Sequence, residues 1–194
     1  MNDLKQSLLN KKVVYSGSEL IFIHRWLVSL ILSAYTRRAN NRGEQILVQN
    51  PFRINMQLKK GLSVLILVYG FPIGYLTTYD LGVDKRNRRW WEVGTGYVPR
   101  PFRGFGLGHV LYDGAAQRHK KDVLVGTTKN PVALHLSVTA GFKVESFAKV
   151  PAVIRKSLCY EAPCFVVSSA CSGCCKSEHN LNGTCYARVR WPVM

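Results

Sequence analysis

A glycine-rich string near the middle of the chain has the residues and the spacing of an anion-binding loop. It is Arg103-Gly104-Phe105-Gly106-Leu107-Gly108, and it follows a predicted strand and opens a predicted helix. Glycines let the main chain approach phosphate oxygens, and the free N–H groups of a first helical turn point at an anion with the helix dipole behind them. Because Arg103 adds a positive charge, residues 103–108 are predicted to bind a pyrophosphate.

The same string also fits part of the dinucleotide fingerprint of a Rossmann fold. That fingerprint requires a βαβ unit with parallel strands and an acidic residue about 20 positions further on. Asp122 lies near that distance. The strands before the loop are joined by short connections and are therefore predicted to be antiparallel, which disfavours the Rossmann interpretation.

The elements around the loop are predicted from the period of the apolar residues. Alternation predicts a hairpin over Gly61–Tyr79 and a third strand over Trp90–Val98, which ends at Pro99 because proline cannot donate to a strand ladder. Near the N-terminus, Ser16 and Glu19 have capping-box spacing and predict a helix to about Arg38. The other predicted elements are a strand at Lys12–Tyr15, helices at Gly108–His119 and Pro131–Ala140, and strands at Asp122–Gly126, Phe142–Phe147 and Thr184–Trp191.

Two stretches of the sequence resemble the signature of the GNAT acetyltransferase superfamily. Arg103, Gly106 and Gly108 match its pattern of Arg or Gln, two residues, Gly, one residue, then Gly or Ala. The second stretch matches at Asn130, Ala133, Leu136, Gly141 and Phe142. The resemblance implies an α/β fold with a mixed, mostly antiparallel central sheet flanked by helices. It divides the chain into an acyltransferase core at 1–150, a Cys-rich insertion at 151–182 and a final strand of the core at 183–194.

The resemblance also implies an activity, the transfer of an acetyl group from acetyl-CoA to an amine by direct attack. In the family, the thioester lies where the fourth and fifth strands diverge, and backbone groups of the fourth strand bind the pantetheine arm. The loop is then expected to hold the pyrophosphate. The cofactor-binding residues implied are Tyr97, Val98, Arg103, Gly104, Phe105, Gly106, Leu107, Gly108 and Asn130.

Glu92 and Ser137 are the catalytic candidates that the resemblance gives. Family members often deprotonate the amine with a carboxylate of the fourth strand, where Glu92 is predicted to lie; the alternative is a surface glutamate beside Arg88 and Arg89. Ser137 stands where the family has the tyrosine that protonates the leaving thiolate. Because a serine hydroxyl is shorter and a weaker acid, the alternatives are water, His135, a tyrosine elsewhere, or a step without a dedicated acid.

The six cysteines all lie near the C-terminus, in a segment without clear periodicity. One C-x-x-C step suggests a structural zinc site formed by Cys164, Cys171, Cys174 and Cys185. Zinc sites usually show two such steps, so free thiols in a loop-rich insertion are slightly favoured over zinc. Disulfides are a third alternative if the compartment is oxidising.

The charge balance bears on the partners of the protein. With 27 Lys and Arg against 11 Asp and Glu, the formal net charge is +16, which favours anionic partners such as tRNA, DNA or an acidic protein as well as coenzyme A. A merely solubilising charge is an equal alternative.

The sequence also indicates a location. The first dozen residues lack an apolar leader, and Trp26–Tyr35 is too short to span a bilayer, so a cytoplasmic protein without membrane contact is expected. The alternative to an enzyme is a non-catalytic module of the same fold that binds CoA or RNA.

Overall fold

A computed structural model describes residues 13–44, 48–128, 130–146, 149–158 and 186–192. Every cysteine lies outside these ranges, so the zinc site at Cys164, Cys171, Cys174 and Cys185 stays a prediction. Within the ranges, no cluster of three or more His, Cys, Asp and Glu side chains is placed to hold a metal ion. The helices found there are too short or too polar to cross a membrane.

Seven strands and five α-helices lie in the described ranges. The strands are β1 (Val13–Tyr15), β2 (Ser63–Val68), β3 (Phe71–Val83), β4 (Arg89–Tyr97), β5 (Val123–Thr128), β6 (Lys143–Glu145) and β7 (Tyr186–Arg190). The helices are α1 (Phe22–Asn40), α2 (Pro51–Lys59), α3 (Leu107–Arg118), α4 (Pro131–Thr139) and α5 (Ala152–Ser157), with a 3-10 turn at Arg100–Phe102 before α3.

The strands form one sheet in the order β1-β2-β3-β4-β5-β7-β6. The β4–β5 pair is parallel, whereas β1–β2, β2–β3, β5–β7 and β6–β7 are antiparallel. The predicted α/β fold, a mixed and mostly antiparallel sheet with flanking helices, is therefore confirmed.

The chain divides into two compact units, and β3 and β4 contribute residues to both. The first unit comprises Met1–Thr77 and Thr95–Leu111, and the second comprises Thr78–Gly94 and Tyr112–Met194. Leu20 and apolar residues of α1, α2, β2 and β3 form the first core: Leu20, Val28, Leu32, Ile54, Leu58, Leu65, Leu67 and Tyr75. The second core gathers Trp90, Val123, Val125, Val150, Ile154, Leu158 and Val189.

The start of α1 differs from the prediction. The helix begins at Phe22, not at the capping-box motif, and the Ser16 hydroxyl bonds instead to the Ser18 hydroxyl at 2.7 Å. Gly17 explains the difference, because its φ of +85° turns the chain and a Cβ there would lie 2.7 Å from the Leu58 Cδ2 atom. A close turn against α2 thus replaces the predicted first helical turn.

The pairing of β4 with β5 is short. Trp90–Glu92 pair with Val123–Val125, and no further pair between these two strands occurs in the described chain, although β4 continues to Tyr97 and β5 to Thr128. The two neighbouring tryptophans lie on opposite faces of β4, as the period of two requires, with Trp90 fully buried and Trp91 half-buried. The register therefore places Glu92 at the last paired position.

Candidate active site

The predicted anion-binding loop lies in the first unit between the 3-10 turn and α3. Gly104 and Gly106 adopt φ values of +84° and +73°, and both are exposed. A Cβ at either position would meet no atom within 4 Å. Glycine is therefore required at both positions by the left-handed backbone and not by lack of space.

The hydrogen bonding of the main-chain N–H groups decides whether this loop can bind an anion. From Gly104 to Gly108, none of these N–H groups has a hydrogen-bond acceptor among the residues that the structure describes. The next two N–H groups, those of His109 and Val110, both donate to the Gly106 carbonyl at 3.0 and 3.3 Å. Open amides at the start of a helix are what an anion needs, and two of the residues that carry them here, Gly104 and Gly106, are exposed to solvent.

Arg103, the predicted charge of the loop, contacts protein groups. Its guanidinium lies 2.5 Å from a Glu44 carboxylate oxygen, donates to the Val98 carbonyl at 2.9 Å, and lies 5.7 Å from the centre of the Tyr97 ring. Arg100 donates to the other Glu44 oxygen at 2.8 Å. The predicted cofactor residues Tyr97, Val98 and Arg103 are thus brought together, and Glu44 is a functional candidate that the sequence did not suggest.

The electrostatics of this cluster keep Glu44 ionised. Burial raises the pKa of Glu44, but hydrogen bonds from Arg103 and Arg100 outweigh it and hold that pKa below its usual range. Burial, and then the Glu44 charge, raise the pKa of the Tyr97 phenol. Since both arginine side chains are about half exposed, the ion pairs contribute little stability.

Glu92 lies in the second unit and is buried. Its exposed fraction is 6%, so the alternative of a surface glutamate is wrong. The adjacent Arg89 is exposed and pairs with Asp80. Its place on β4, at the last residue paired with β5, makes Glu92 a candidate proton acceptor.

Ser137 and Asn130 lie on α4. Ser137 is fully buried, and its hydroxyl donates to the Leu134 carbonyl at 2.7 Å. Because a hydroxyl has one proton, this bond directs it into the helix backbone. Asn130 is exposed and caps the helix, with its side-chain oxygen accepting the Val132 N–H at 2.9 Å. His135, the alternative acid, is exposed on the same helix.

A cluster that the sequence did not suggest lies in the second unit and consists of Tyr112, Gly126 and Arg188. Arg188 on β7 is 2% exposed and donates from Nη1 to the Tyr112 hydroxyl and to the Ala133 carbonyl, both at 3.0 Å. Its Nε has no hydrogen-bond partner in the described chain. Gly126 is its register partner on β5, and a Cβ there would lie 2.5 Å from Nη2, so this glycine makes room for the guanidinium.

A hydroxyl, an imidazole and a carboxylate also align elsewhere in the second unit. His119 contacts the Thr78 hydroxyl at 3.0 Å and the Asp122 carboxylate at 3.5 Å, and its ring lies 4.4 Å from that of Trp91. Burial lowers the pKa of His119 and outweighs the opposing effect of Asp122. Thr78 and His119 are almost fully buried, and their contact joins β3 to the segment that follows α3.

The sequence of this chain matches no known family, whereas its structure matches solved structures. No protein-family model matches the sequence, and no curated protein does. Solved structures do match. N-acetylglutamate synthase of Neisseria gonorrhoeae, solved with coenzyme A and N-acetyl-glutamate, is 14% identical with a TM-score of 0.59 over 94% of this chain. This chain spans only 35% of that protein.

Two other structures match over nearly their full length. A GNAT-family acetyltransferase of Streptococcus agalactiae is 15% identical with a TM-score of 0.56, over 94% of this chain and 96% of its own. Arabidopsis thaliana Naa50, solved with the bisubstrate analogue CoA-Ac-MVNAL, is 12% identical with a TM-score of 0.54, over 93% and 98%. At such low identity the likeness concerns the fold, and this chain has the fold of the GNAT acetyltransferases.

Proposed function

We propose that this protein transfers an acetyl group from acetyl-CoA to an amine. The observation that carries the proposal is the run of open main-chain amides at 104–108, held by two glycines of positive φ at the start of α3. On a fold shared with CoA-bound acetyltransferases, such a run is suited to the pyrophosphate of coenzyme A.

The residues of the chain fit this cofactor. Bound acetyl-CoA supplies an activated acetyl thioester and a diphosphate. We assign the diphosphate to the amides of residues 104–108, the pantetheine arm to the backbone of Tyr97 and Val98, and a further contact to Asn130. Arg103 exchanges Glu44 for the diphosphate, which is a small free-energy change for an exposed pair.

Glu92 is assigned as the general base. An amine attacks only as the neutral form, so a carboxylate that takes up its proton, directly or through water, raises the rate. The position of Glu92 supports this role, because it is the last residue of β4 that pairs with β5. No covalent enzyme intermediate is required.

The acceptor amine is proposed to belong to an anionic molecule, either a nucleic-acid-linked amine or an acidic protein. The formal net charge of +16 supports an anion and disfavours a small cationic amine. Among the fold relatives, one was solved with a peptide-containing bisubstrate analogue and another with N-acetyl-glutamate. Peptide and amino-acid amines are therefore within the chemistry of this fold.

The second candidate is a non-catalytic module that binds CoA or RNA. One observation favours it: the hydroxyl of Ser137, at the position expected to carry the acid, donates to its own helix. Without an acid, such a site would hold the cofactor but release the thiolate slowly.

Two measurements separate these candidates. Calorimetric titration with coenzyme A tests the loop, and the proposal predicts saturable binding. Isotope-labelled acetyl-CoA incubated with pools of tRNA, protein and small amines then tests transfer through a mass shift. Transfer to any pool supports the enzyme, binding without transfer to any pool supports the module, and absence of CoA binding contradicts both candidates that use CoA.

A further inference from the structure

Acetyl transfer leaves a thiolate that has to be protonated, and the described residues offer a group for this step. Ser137 directs its proton to Leu134. His135 is exposed on α4. The cluster of Tyr112 and Arg188 lies on the buried side of the same helix, through the bond from Arg188 to Ala133.

We infer that Tyr112 donates the proton to the leaving thiolate and that Arg188 positions its hydroxyl and stabilises the negative charge that it acquires. The inference rests on the proposed function and adds a catalytic residue, Tyr112, and a positioning residue, Arg188, to it.

The hydrogen bonds of Tyr112 leave its proton available. Its hydroxyl accepts from Arg188 Nη1, and its own proton has no acceptor among the residues of known position. The side chain is only 7% exposed, and its ring packs edge-on against Phe142 with centroids 6.1 Å apart. Arg188 is the hydrogen-bond partner of this buried phenol and acts as a donor to it, so the phenol proton stays free for an acceptor atom of a ligand.

The position of the hydroxyl is also suitable. Arg188 Nη1 donates to the Tyr112 hydroxyl and to the Ala133 carbonyl, and in an α-helix that carbonyl faces the N–H group of Ser137, four residues on. The Tyr112 hydroxyl thus reaches the part of α4 where the acid is expected. On β5, the guanidinium lies against Gly126, the residue directly after the last pair with β4.

The charge of Arg188 suits a site that becomes negative. The guanidinium is 2% exposed and forms no ion pair with a carboxylate in the described part of the chain. Burial of a cation is unfavourable, so a negative charge that appears beside this guanidinium during the reaction is stabilised. Proton loss from Tyr112 creates such a charge 3.0 Å from Nη1.

The proposed step balances in atoms and electrons. The acceptor nitrogen forms a bond to the acetyl carbon and loses a proton to Glu92. The bond between that carbon and the CoA sulfur breaks, and its electron pair goes to sulfur. Tyr112 gives its proton to the sulfur, and the tyrosinate, held by Arg188, regains a proton from solvent while Glu92 releases the amine proton to solvent. The products are the acetylated amine and free CoA thiol.

A binding experiment tests the inference without an acceptor. Coenzyme A and desulfo-coenzyme A, which lacks the sulfur, are titrated into the wild type and Tyr112→Phe. The wild type should prefer coenzyme A by about three- to tenfold, the range expected for one hydrogen bond, and Tyr112→Phe should abolish that preference. A preference that persists in Tyr112→Phe, or one absent from the wild type, overturns the inference while the proposed function stands.

Tyr75→Phe is the matched control. It removes another buried phenol hydroxyl, one that lies within hydrogen-bonding distance of the side-chain oxygens of Gln49 and Gln57 in the first unit, at 3.1 and 2.9 Å. This variant should lose stability and keep the preference for the sulfur. If the wild type binds neither ligand, the proposed function itself fails, which is a different result from an unchanged preference.

A kinetic comparison provides a second readout with the acceptor found in the screen. The thioester of acetyl-CoA is compared with its oxygen ester, whose alkoxide leaving group is far more basic and needs the proton more. Tyr112→Phe should reduce kcat by about a hundredfold or more for the thioester, without a change in KM, and by a larger factor for the oxygen ester. Equal factors for both esters would mean that Tyr112 is only structural.

Discussion

Two arginines, one in each unit, differ in what surrounds their charge. Arg103 is about half exposed and pairs with Glu44, which also binds Arg100. Arg188 is buried, has no carboxylate partner among the described residues, and contacts a phenol and a carbonyl. We therefore expect Arg103 to exchange its carboxylate partner for another anion, whereas the Arg188 guanidinium is held in place by its buried contacts.

The difference indicates how the two units contribute to the proposed activity. An exposed ion pair is re-formed with a new anion at little free-energy cost, which suits binding and release of a diphosphate. A buried cation that is already in position does not need to move during the reaction, so it is suited to stabilise a negative charge that exists only briefly, such as that on Tyr112. Substitutions of the loop and of Arg103 should therefore change the affinity for CoA, and those of Glu92, Tyr112 and Arg188 should change kcat.

Glu92→Gln should have the largest effect. The substitution keeps the size of the side chain and removes its ability to accept the amine proton, so kcat should fall by about a hundredfold or more. The dissociation constant of CoA should not change. Steady-state kinetics and calorimetry on the same preparation test both statements, with Glu145→Gln, a carboxylate paired with Lys149, as the control. A loss of affinity without loss of kcat would reverse the assigned roles.

Gly106→Ala should weaken CoA binding by about tenfold or more. Its φ of +73° strains any residue with a Cβ, at about 1 to 3 kcal/mol, and relief of that strain would turn the amides away from the anion. Gly82→Ala is the matched control, since Gly82 has a φ of +89° and equally open space. Both variants should lose similar stability in thermal unfolding, and only Gly106→Ala should bind CoA more weakly. Equal affinities would remove the loop from the binding site.

Asp84→Asn removes a buried carboxylate with a structural role, in contrast to Glu92, the proposed general base. Asp84 accepts from the Arg86 and Arg88 N–H groups, the Arg88 guanidinium and the Trp90 indole at 2.8 to 3.0 Å. Burial raises the pKa of Asp84, but these hydrogen bonds outweigh it and lower that pKa strongly. The variant should lose about 1 to 3 kcal/mol of unfolding free energy and retain kcat.

The stability lost in Asp84→Asn should depend on pH, because the pKa of Asp84 is lowered in the folded protein. Because the folded-state pKa of Asp84 is depressed, its stabilisation is present above about pH 4, the ordinary range of an aspartate, and is lost as the pH falls further. Denaturation midpoints of the wild type and Asp84→Asn should therefore converge below about pH 4. A gap in stability that is constant with pH would show that the charge of Asp84 contributes nothing.

Glu44→Gln should have the smallest effect, and it should strengthen CoA binding where Gly106→Ala weakens it. Removal of the carboxylate frees Arg103 and Arg100 from a competing anion, so CoA affinity should rise by about two- to fivefold at low salt. The gain should shrink as salt screens the exposed charges. Calorimetry at two ionic strengths measures it. Weaker binding by the variant would mean that Glu44 holds the arginines in place for the cofactor.

Local features of the fold were predictable because they depend on neighbouring residues. The period-two alternation of β2, β3 and β4 and the strand that precedes Arg103 placed the loop correctly. Helix α2 was missed, although Asn50 caps it by accepting the Arg53 N–H at 2.8 Å and Pro51 is its first residue, which are ordinary start signals. Those two residues would have been sufficient to predict it.

Contacts between distant residues were not predictable. Glu44 and Arg103 are 59 residues apart, and Tyr112 and Arg188 are 76 apart. Nothing in the alternation of the last strand distinguishes a buried Arg188 from an exposed one, because an arginine on a strand usually faces solvent. Only the register that sets Gly126 opposite Arg188 reveals the space for the guanidinium.

The central claim is that the amides of residues 104–108 bind the diphosphate of coenzyme A. Backbone amide NMR during titration with coenzyme A, and separately with inorganic pyrophosphate, tests it most directly. The proposal predicts that the largest shifts, and new protection from hydrogen exchange, occur at residues 104–108 with both ligands. Binding that leaves these amide signals unmoved while others shift would contradict it.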